Sequence, residues 1–228
     1  DEETVSRVVV RDRIGDTTRP VAEMASTAPG ISGDGCVVAY VVLSAVPEAS
    51  LTLTTVDRCA VDRDAPLPLG RAIDTVSVTD EGVAGPALVG VAAPAMSADG
   101  STIVWSTGDE VRRYVRGPEP DAEHELVDAF DTDPVPTPAV RTGPRVDVSA
   151  DGRTVAFVAG AGAEPFRPDV GGVYLWQRPD EEPGTVTALS VTAPGEPGSV
   201  ASDAPSISGD GLRVAFESTS ADTAAVGD

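Results

Sequence analysis

The 228-residue chain carries 37 acidic against 16 basic residues, a formal charge of −21, which sets nucleic acid aside because phosphate binding needs the opposite sign. All 16 basic residues are Arg, and with no Lys and no Asn in the sequence, Lys-based chemistry and N-glycosylation are excluded. The longest apolar stretch, 36–46, spans eleven residues and contains a Ser, well short of the ~20 that a membrane helix needs.

In chain order, two short strands come first, over 7–13 and 17–22. A Ser-x-Asp-Gly turn follows at Ser32, Asp34 and Gly35, with Ile31 before it and Val38 and Tyr40 after it. The same arrangement returns at Ser97, Asp99 and Gly100, at Ser149, Asp151 and Gly152, and at Ser208, Asp210 and Gly211. Asp-Gly between apolar runs predicts a two-residue hairpin turn with positive φ, and the Ser can bond nearby amides. Six positions after each Asp stands an aromatic residue, Tyr40, Trp105, Phe157 or Phe216. It shares a face with the apolar residue two before it and is expected to pack between sheets. Pro29, Pro94 and Pro205 give three of the copies a rigid entry.

Past each aromatic a third strand ends in Arg, at 51–58, 111–116 and 173–178, and a fourth follows at 73–79, 125–130 and 185–191. Four strands per repeat make a propeller blade, and repeated units that cannot bury their own apolar faces must stack. The fold class predicted is all-β, a β-propeller of four blades of four antiparallel strands forming a single domain over 1–228. Blade 1 covers about 27–80, blade 2 about 92–131 and blade 3 about 144–192, while blade 4 joins 203–228 to 5–24. Turn Asp follows turn Asp by 65, 52 and 59 residues, and the wrap from Asp210 through Asp228 to Asp34, 18 plus 34, is 52. Closing the ring with a shared blade would remove exposed sheet edges. A longer array cut to four repeats would give the same arithmetic.

The stretch 204–218, together with 148–157, resembles the bacterial TolB-type, WD-like propeller repeat, Pro-x-hydrophobic-Ser-x-Asp-Gly-x-x-hydrophobic-Ala-Phe. The likeness runs through all four copies and is weakest in the first two, where Tyr40 and Trp105 replace Phe. It implies a fold shared by scaffolds, translocation accessories and domains attached to peptidases, and it brings no catalytic residues.

Cys36 and Cys59 are the only cysteines. They stand at the start of the second strand and the end of the third, where an antiparallel pair would set them opposite one another. A disulfide and an oxidising compartment follow from that register, with two free buried thiols as the alternative. The chain begins at Asp1 rather than Met, so a leader has been removed or the chain trimmed, and a secreted or extracytoplasmic location is expected. The Arg-only, Ala-, Val- and Asp-rich composition suggests a GC-rich bacterial genome.

No nucleophile elbow, phosphate loop or zinc-protease motif is present. The single histidine, His124, lies between Glu123 and Glu125 and reads as a solvated edge residue. Asp128, Asp131 and Asp133 form the densest acidic cluster, with Asp57, Asp62 and Asp64 as a second. Oxygen-rich loops can hold calcium, but neither cluster matches the twelve-residue calcium loop, and no other cofactor is indicated. Arg13, Arg58, Arg116 and Arg178 are expected along a blade edge. The longer loops, 43–50, 81–91, 131–142, 160–172 and 191–202, should emerge at the end of the ring opposite the tight turns. Phe166 and Arg167 are the contact residues nominated there, as an Arg-aromatic pair of interface type.

Three functions are consistent with these residues. The chain is expected to be a non-catalytic extracytoplasmic binding or structural module that meets a protein partner or cell-surface component through its long loops. The alternatives are a lactonase- or glycosidase-type propeller hydrolase using loop carboxylates or a metal, and a regulatory propeller domain of a larger protein.

Overall fold

A computed structural model describes residues 7–21, 26–42, 52–57, 73–75, 93–106, 111–116, 123–126, 142–159, 171–178, 184–190 and 202–219. Every regular element among them is a strand. Strands β1 (Val9–Asp12) and β2 (Thr17–Pro20) pair as a hairpin, extended by the Val21 N–H bonding the Val8 carbonyl. Next come β3 (Ser26–Ile31), β4 (Val37–Val42), β5 (Thr52–Asp57) and β6 (Ile73–Thr75), then β7 (Ala95–Met96), β8 (Thr102–Ser106), β9 (Val111–Val115) and β10 (Glu123–Leu126). They are followed by β11 (Thr142–Val148), β12 (Thr154–Ala159), β13 (Gly172–Gln177) and β14 (Thr185–Ala188), and by the pair β15 (Ser202–Ile207) and β16 (Val214–Ser218). Three antiparallel meanders of four strands result, β3 to β6, β7 to β10 and β11 to β14.

These sheets stack face on face, as successive blades do, because strand alternation sends the two faces of each second strand to different neighbours. On β4, Val38 and Tyr40 cluster with Val8, Val10 and Val21 of the first hairpin. Ala39 and Val41 cluster with Ile103, Trp105 and Tyr114 of the second sheet. Val104 and Val111, on the opposite face of that sheet, pack with Val155, Phe157, Tyr174 and Trp176 of the third. Phe157 and Tyr174 are a cross-strand pair with ring centroids 5.8 Å apart. Each of the aromatics Tyr40, Trp105 and Phe157 is buried and contributes about 1.5–3 kcal/mol by burial. Three of the four column aromatics are therefore inter-sheet packing, as the repeat predicts, and the fourth, Phe216, is half-buried.

The first strands of three sheets carry a feature absent from the repeat reading. Strands β3, β11 and β15 each contain a register shift, and in two of them an alanine takes positive φ immediately before proline: Ala28 at 49° and Ala204 at 54°. A left-handed residue with a Cβ costs roughly 1–2 kcal/mol. The bend brings strands of adjacent sheets close together, since a Cβ on Gly30 would lie 2.4 Å from the Pro94 carbonyl oxygen.

The structure departs from the sequence reading in two places. The hairpin turn is not a two-residue turn, because among its residues only the glycines, Gly35, Gly100, Gly152 and Gly211, have positive φ. Instead the Gly N–H bonds the Ser carbonyl three residues back. Strand β10 starts two residues before the predicted 125–130. Among the described residues β1–β2 and β15–β16 are two-stranded sheets.

Candidate functional site

The repeat's carboxylates are the first groups to test for chemistry, and all four are committed to their turns. Each Ser hydroxyl donates to its Asp: Ser32 to Asp34 at 2.6 Å, Ser97 to Asp99 at 2.7 Å, Ser149 to Asp151 at 2.5 Å and Ser208 to Asp210 at 2.5 Å. The same Asp oxygen accepts the backbone N–H two residues on, from Cys36, Ser101, Arg153 or Leu212. The Ser oxygen in turn accepts the N–H five residues on, from Val37, Thr102, Thr154 or Arg213. Sequence Ser-x-Asp-Gly thus caps its own hairpin, replacing ladder bonds that the turn cannot make.

The electrostatics follow from these donors. The Ser32 hydroxyl and the Cys36 amide hold Asp34 below the ordinary carboxylate value, and the Ser208 hydroxyl and Leu212 amide do the same to Asp210. The Ser101 amide is the main donor lowering Asp99. At Asp151 burial opposes as the single largest influence, yet the Ser149 hydroxyl, the Arg153 amide and the Arg153 charge together lower it. Four carboxylates locked in the ionised form are poor general acids, and their donors leave them weak bases. Burial raises Tyr40, and it pushes the Tyr174 phenol up to about 12, so both rings stay neutral packing groups.

The turns also bond one another. The Asp34 N–H reaches the Ala98 carbonyl at 2.9 Å, the Ala98 N–H the Ala150 carbonyl at 3.0 Å and the Ala150 N–H the Gly209 carbonyl at 2.9 Å. Position x of the repeat is Gly33, Ala98, Ala150 or Gly209, and its smallness is what lets the backbones meet. Two further polar links cross the stack. The Arg113 Nε donates to the Gly152 carbonyl at 3.0 Å while its guanidinium lies 5.4 Å from the Trp176 ring centre. Asp147 reaches from β11 to β15, accepting the Ile207 N–H at 2.8 Å and the Ser206 hydroxyl at 3.1 Å. No repeat column announced Arg113 or Asp147, since each occurs in one copy only.

The other sequence nominations fall differently. His124 sits on β10 at the outer edge of its sheet, opposite Tyr114. The Arg116 N–H bonds the Ser101 carbonyl and the Arg178 N–H the Arg153 carbonyl, which fastens the ends of β9 and β13 beside their turns. Phe166, Arg167, Asp128, Asp131, Asp133, Asp62, Asp64, Arg58 and Cys59 lie outside the described residues. The β4–β5 register ends with Val37 opposite Asp57, one residue from Cys36 and two from Cys59 in sequence. Among the described residues no three His, Cys, Asp or Glu side chains are grouped to hold a metal, and no helix is long and apolar enough to cross a membrane.

No protein-family model matches the chain, and no curated protein matches it. Among solved structures it is similar to TolB from Acinetobacter baumannii, at 17% identity over 91% of this chain and 42% of that one, with a TM-score of 0.49. A prolyl endopeptidase aligns at 13% identity over 88% of this chain and 27% of its own, with a TM-score of 0.45. The acylaminoacyl peptidase of Pyrococcus horikoshii aligns at 14% identity over 72% of this chain and 25% of its own, with a TM-score of 0.37. The chain spans less than half the length of each.

Proposed function

We propose that the chain is a non-catalytic, extracytoplasmic binding or structural propeller module, built as four blades in a closed ring and contacting a protein or cell-surface partner through the longer loops. The observation that carries this reading is the state of the repeated carboxylates. The four Asp residues that could have formed a reactive set are each held ionised by a hydroxyl and an amide of their own turn. A rigid stack whose polar groups are spent internally leaves recognition to segments that do not repeat. Phe166 and Arg167 are the contact pair proposed within loop 160–172, and Cys36 and Cys59 the proposed disulfide. Asp128, Asp131 and Asp133 are the proposed calcium ligands.

The test has two arms. The purified protein is incubated with lactone and glycoside panels, with calcium and with chelator, and no turnover is expected in either condition. Binding to cell-envelope fractions of the source organism is then compared with that of Phe166→Ala/Arg167→Ala, which should keep the melting temperature and lose retention. Calcium-dependent turnover would establish the hydrolase instead.

A further inference from the structure

One stretch of the chain has the opposite charge from the rest. Residues 7–21 carry Arg7, Arg11, Arg13 and Arg19 against Asp12 and Asp16, a net +2, whereas the remainder, with 12 Arg and 35 acidic residues, sums to −23. All four arginines are exposed. The stretch is the β1–β2 hairpin, which Val8, Val10 and Val21 anchor on Val38 and Tyr40 of the first sheet.

With Asp12 opposite Thr17, the hairpin loop is Arg13, Ile14, Gly15 and Asp16. Ile14 at its tip is 100% exposed, ahead of Leu212 at 79%. Leaving a whole Ile side chain in water forgoes about 1.5–3 kcal/mol of burial, and a polar residue such as Ser or Asn closes a turn of this kind as well or better. A single exposed apolar residue is ordinary on a protein surface. This one differs in how firmly it is held and in the charge beside it.

The Asp12 carboxylate accepts the Ile14 N–H at 2.9 Å and the Gly15 N–H at 3.0 Å through one oxygen. Arg11 donates to the Thr18 hydroxyl at 2.9 Å and pairs with Asp16, whose φ of 50° returns the chain into β2. Both carboxylates and Arg11 are thus occupied in bracing the loop. Arg13, next to Ile14, makes no ion pair among the described residues, so the tip offers one guanidinium beside one apolar side chain on a fixed backbone.

We infer that this tip is a docking knob for a protein partner: Ile14 enters an apolar socket whose rim is carboxylate, and Arg13 pairs with that rim. The knob goes beyond the long-loop contact proposed above, because it stands on a tight turn. A braced loop loses little conformational freedom on binding, and Arg is enriched among the residues that dominate interfaces. Charge selects the partner. At physiological salt charges are screened beyond ~8 Å, so a small acidic socket meets the sign of the hairpin and not that of the chain. An anionic lipid surface is an extended plane that meets more of the acidic remainder, and about 1 kcal/mol per Arg with one Ile side chain has to hold a molecule of charge −21 against it.

Photo-crosslinking tests it. The full chain with p-benzoylphenylalanine in place of Ile14 is irradiated with cell-envelope fractions of the source organism, beside a control with the same group in place of the exposed Gln177. The group at 14, and not at 177, should form one protein adduct, linked to a peptide that carries Asp or Glu beside apolar residues. Arg13→Glu should lower its yield by roughly tenfold or more at an unchanged melting temperature, and so should about 1 M salt. If Arg13→Glu does not fold, Arg13→Gln must give the same direction of loss. No adduct at 14, equal adducts at both positions, or an adduct to a peptide without carboxylates would overturn the knob. Linkage to lipid alone or to a second copy of the chain would overturn it as well. The long-loop contact is read separately: an Ile14 adduct that persists in Phe166→Ala/Arg167→Ala while retention is unchanged keeps the knob and removes that contact, and lost retention without any Ile14 adduct does the reverse.

Discussion

Removing the buried turn hydroxyl of the third repeat separates the two contributions of the Ser-x-Asp-Gly motif. The Ser149 hydroxyl donates to Asp151 at 2.5 Å and accepts the Thr154 N–H at 3.0 Å, and Ser149 has no exposed surface. Ser149→Ala leaves the Thr154 N–H without that acceptor where water does not reach, a loss of about 1–3 kcal/mol. The Asp151 carboxylate faces solvent and recovers part of its lost bond from water. The net cost should be about 2 kcal/mol, which for a chain of this size lowers the melting temperature by roughly 4–8 °C. In Asp151→Asn the amide oxygen can still accept both the Ser149 hydroxyl and the Arg153 N–H, so its cost at neutral pH should stay below about 1 kcal/mol. Urea and thermal denaturation followed by the emission of the buried Trp105 and Trp176 report both. An Asp151→Asn loss equal to or larger than that of Ser149→Ala would refute the reasoning, since it would place the stabilisation in the charge rather than in the buried hydroxyl.

Asp34, Asp99, Asp151 and Asp210 are all lowered from 3.8, so the stability they contribute is complete above the unfolded value and is lost as pH falls through the folded values. The urea midpoint should hold steady from neutral pH down to about 5 and fall below about 4, less steeply in Asp151→Asn. Gly184→Ala puts a Cβ 2.0 Å from the Trp176 Nε1. Displacing that ring from beneath Arg113 should cost roughly 1–3 kcal/mol and red-shift the folded-state emission, and an unshifted spectrum would count against this packing. If Cys36 and Cys59 are bridged, non-reducing peptide mapping recovers them as one linked species and reductant costs about 3 kcal/mol. Two separately alkylated cysteines would reject the bridge.

The repeat made the strand order and the inter-sheet aromatics legible because both depend on spacing alone. A column that recurs every 52–65 residues marks Tyr40, Trp105 and Phe157 as packing groups before any coordinate is known. Turn geometry was legible only in part. The Asp-Gly pair suggested two left-handed residues, but the Ser and Asp side chains supply bonds that leave Gly alone with positive φ. What recurs once is invisible to a repeat, which is why Asp147 bridging β11 to β15 and Arg113 lying over Trp176 came from the fold. Bends at Ala28 and Ala204 were hidden for a related reason. Proline disfavours the helical region in the residue before it, and the sequence does not show that Ala28 and Ala204 take the left-handed one.

The commitment of the four repeated carboxylates to turn structure is tested most directly by an NMR titration of Asp34, Asp99, Asp151 and Asp210 in the folded protein. All four should titrate below the ordinary 3.8, each Asp following its own Ser partner when that Ser is changed to Ala. One of the four titrating well above that value, in the range of a general acid, would contradict the account and return the repeat to the list of reactive sites.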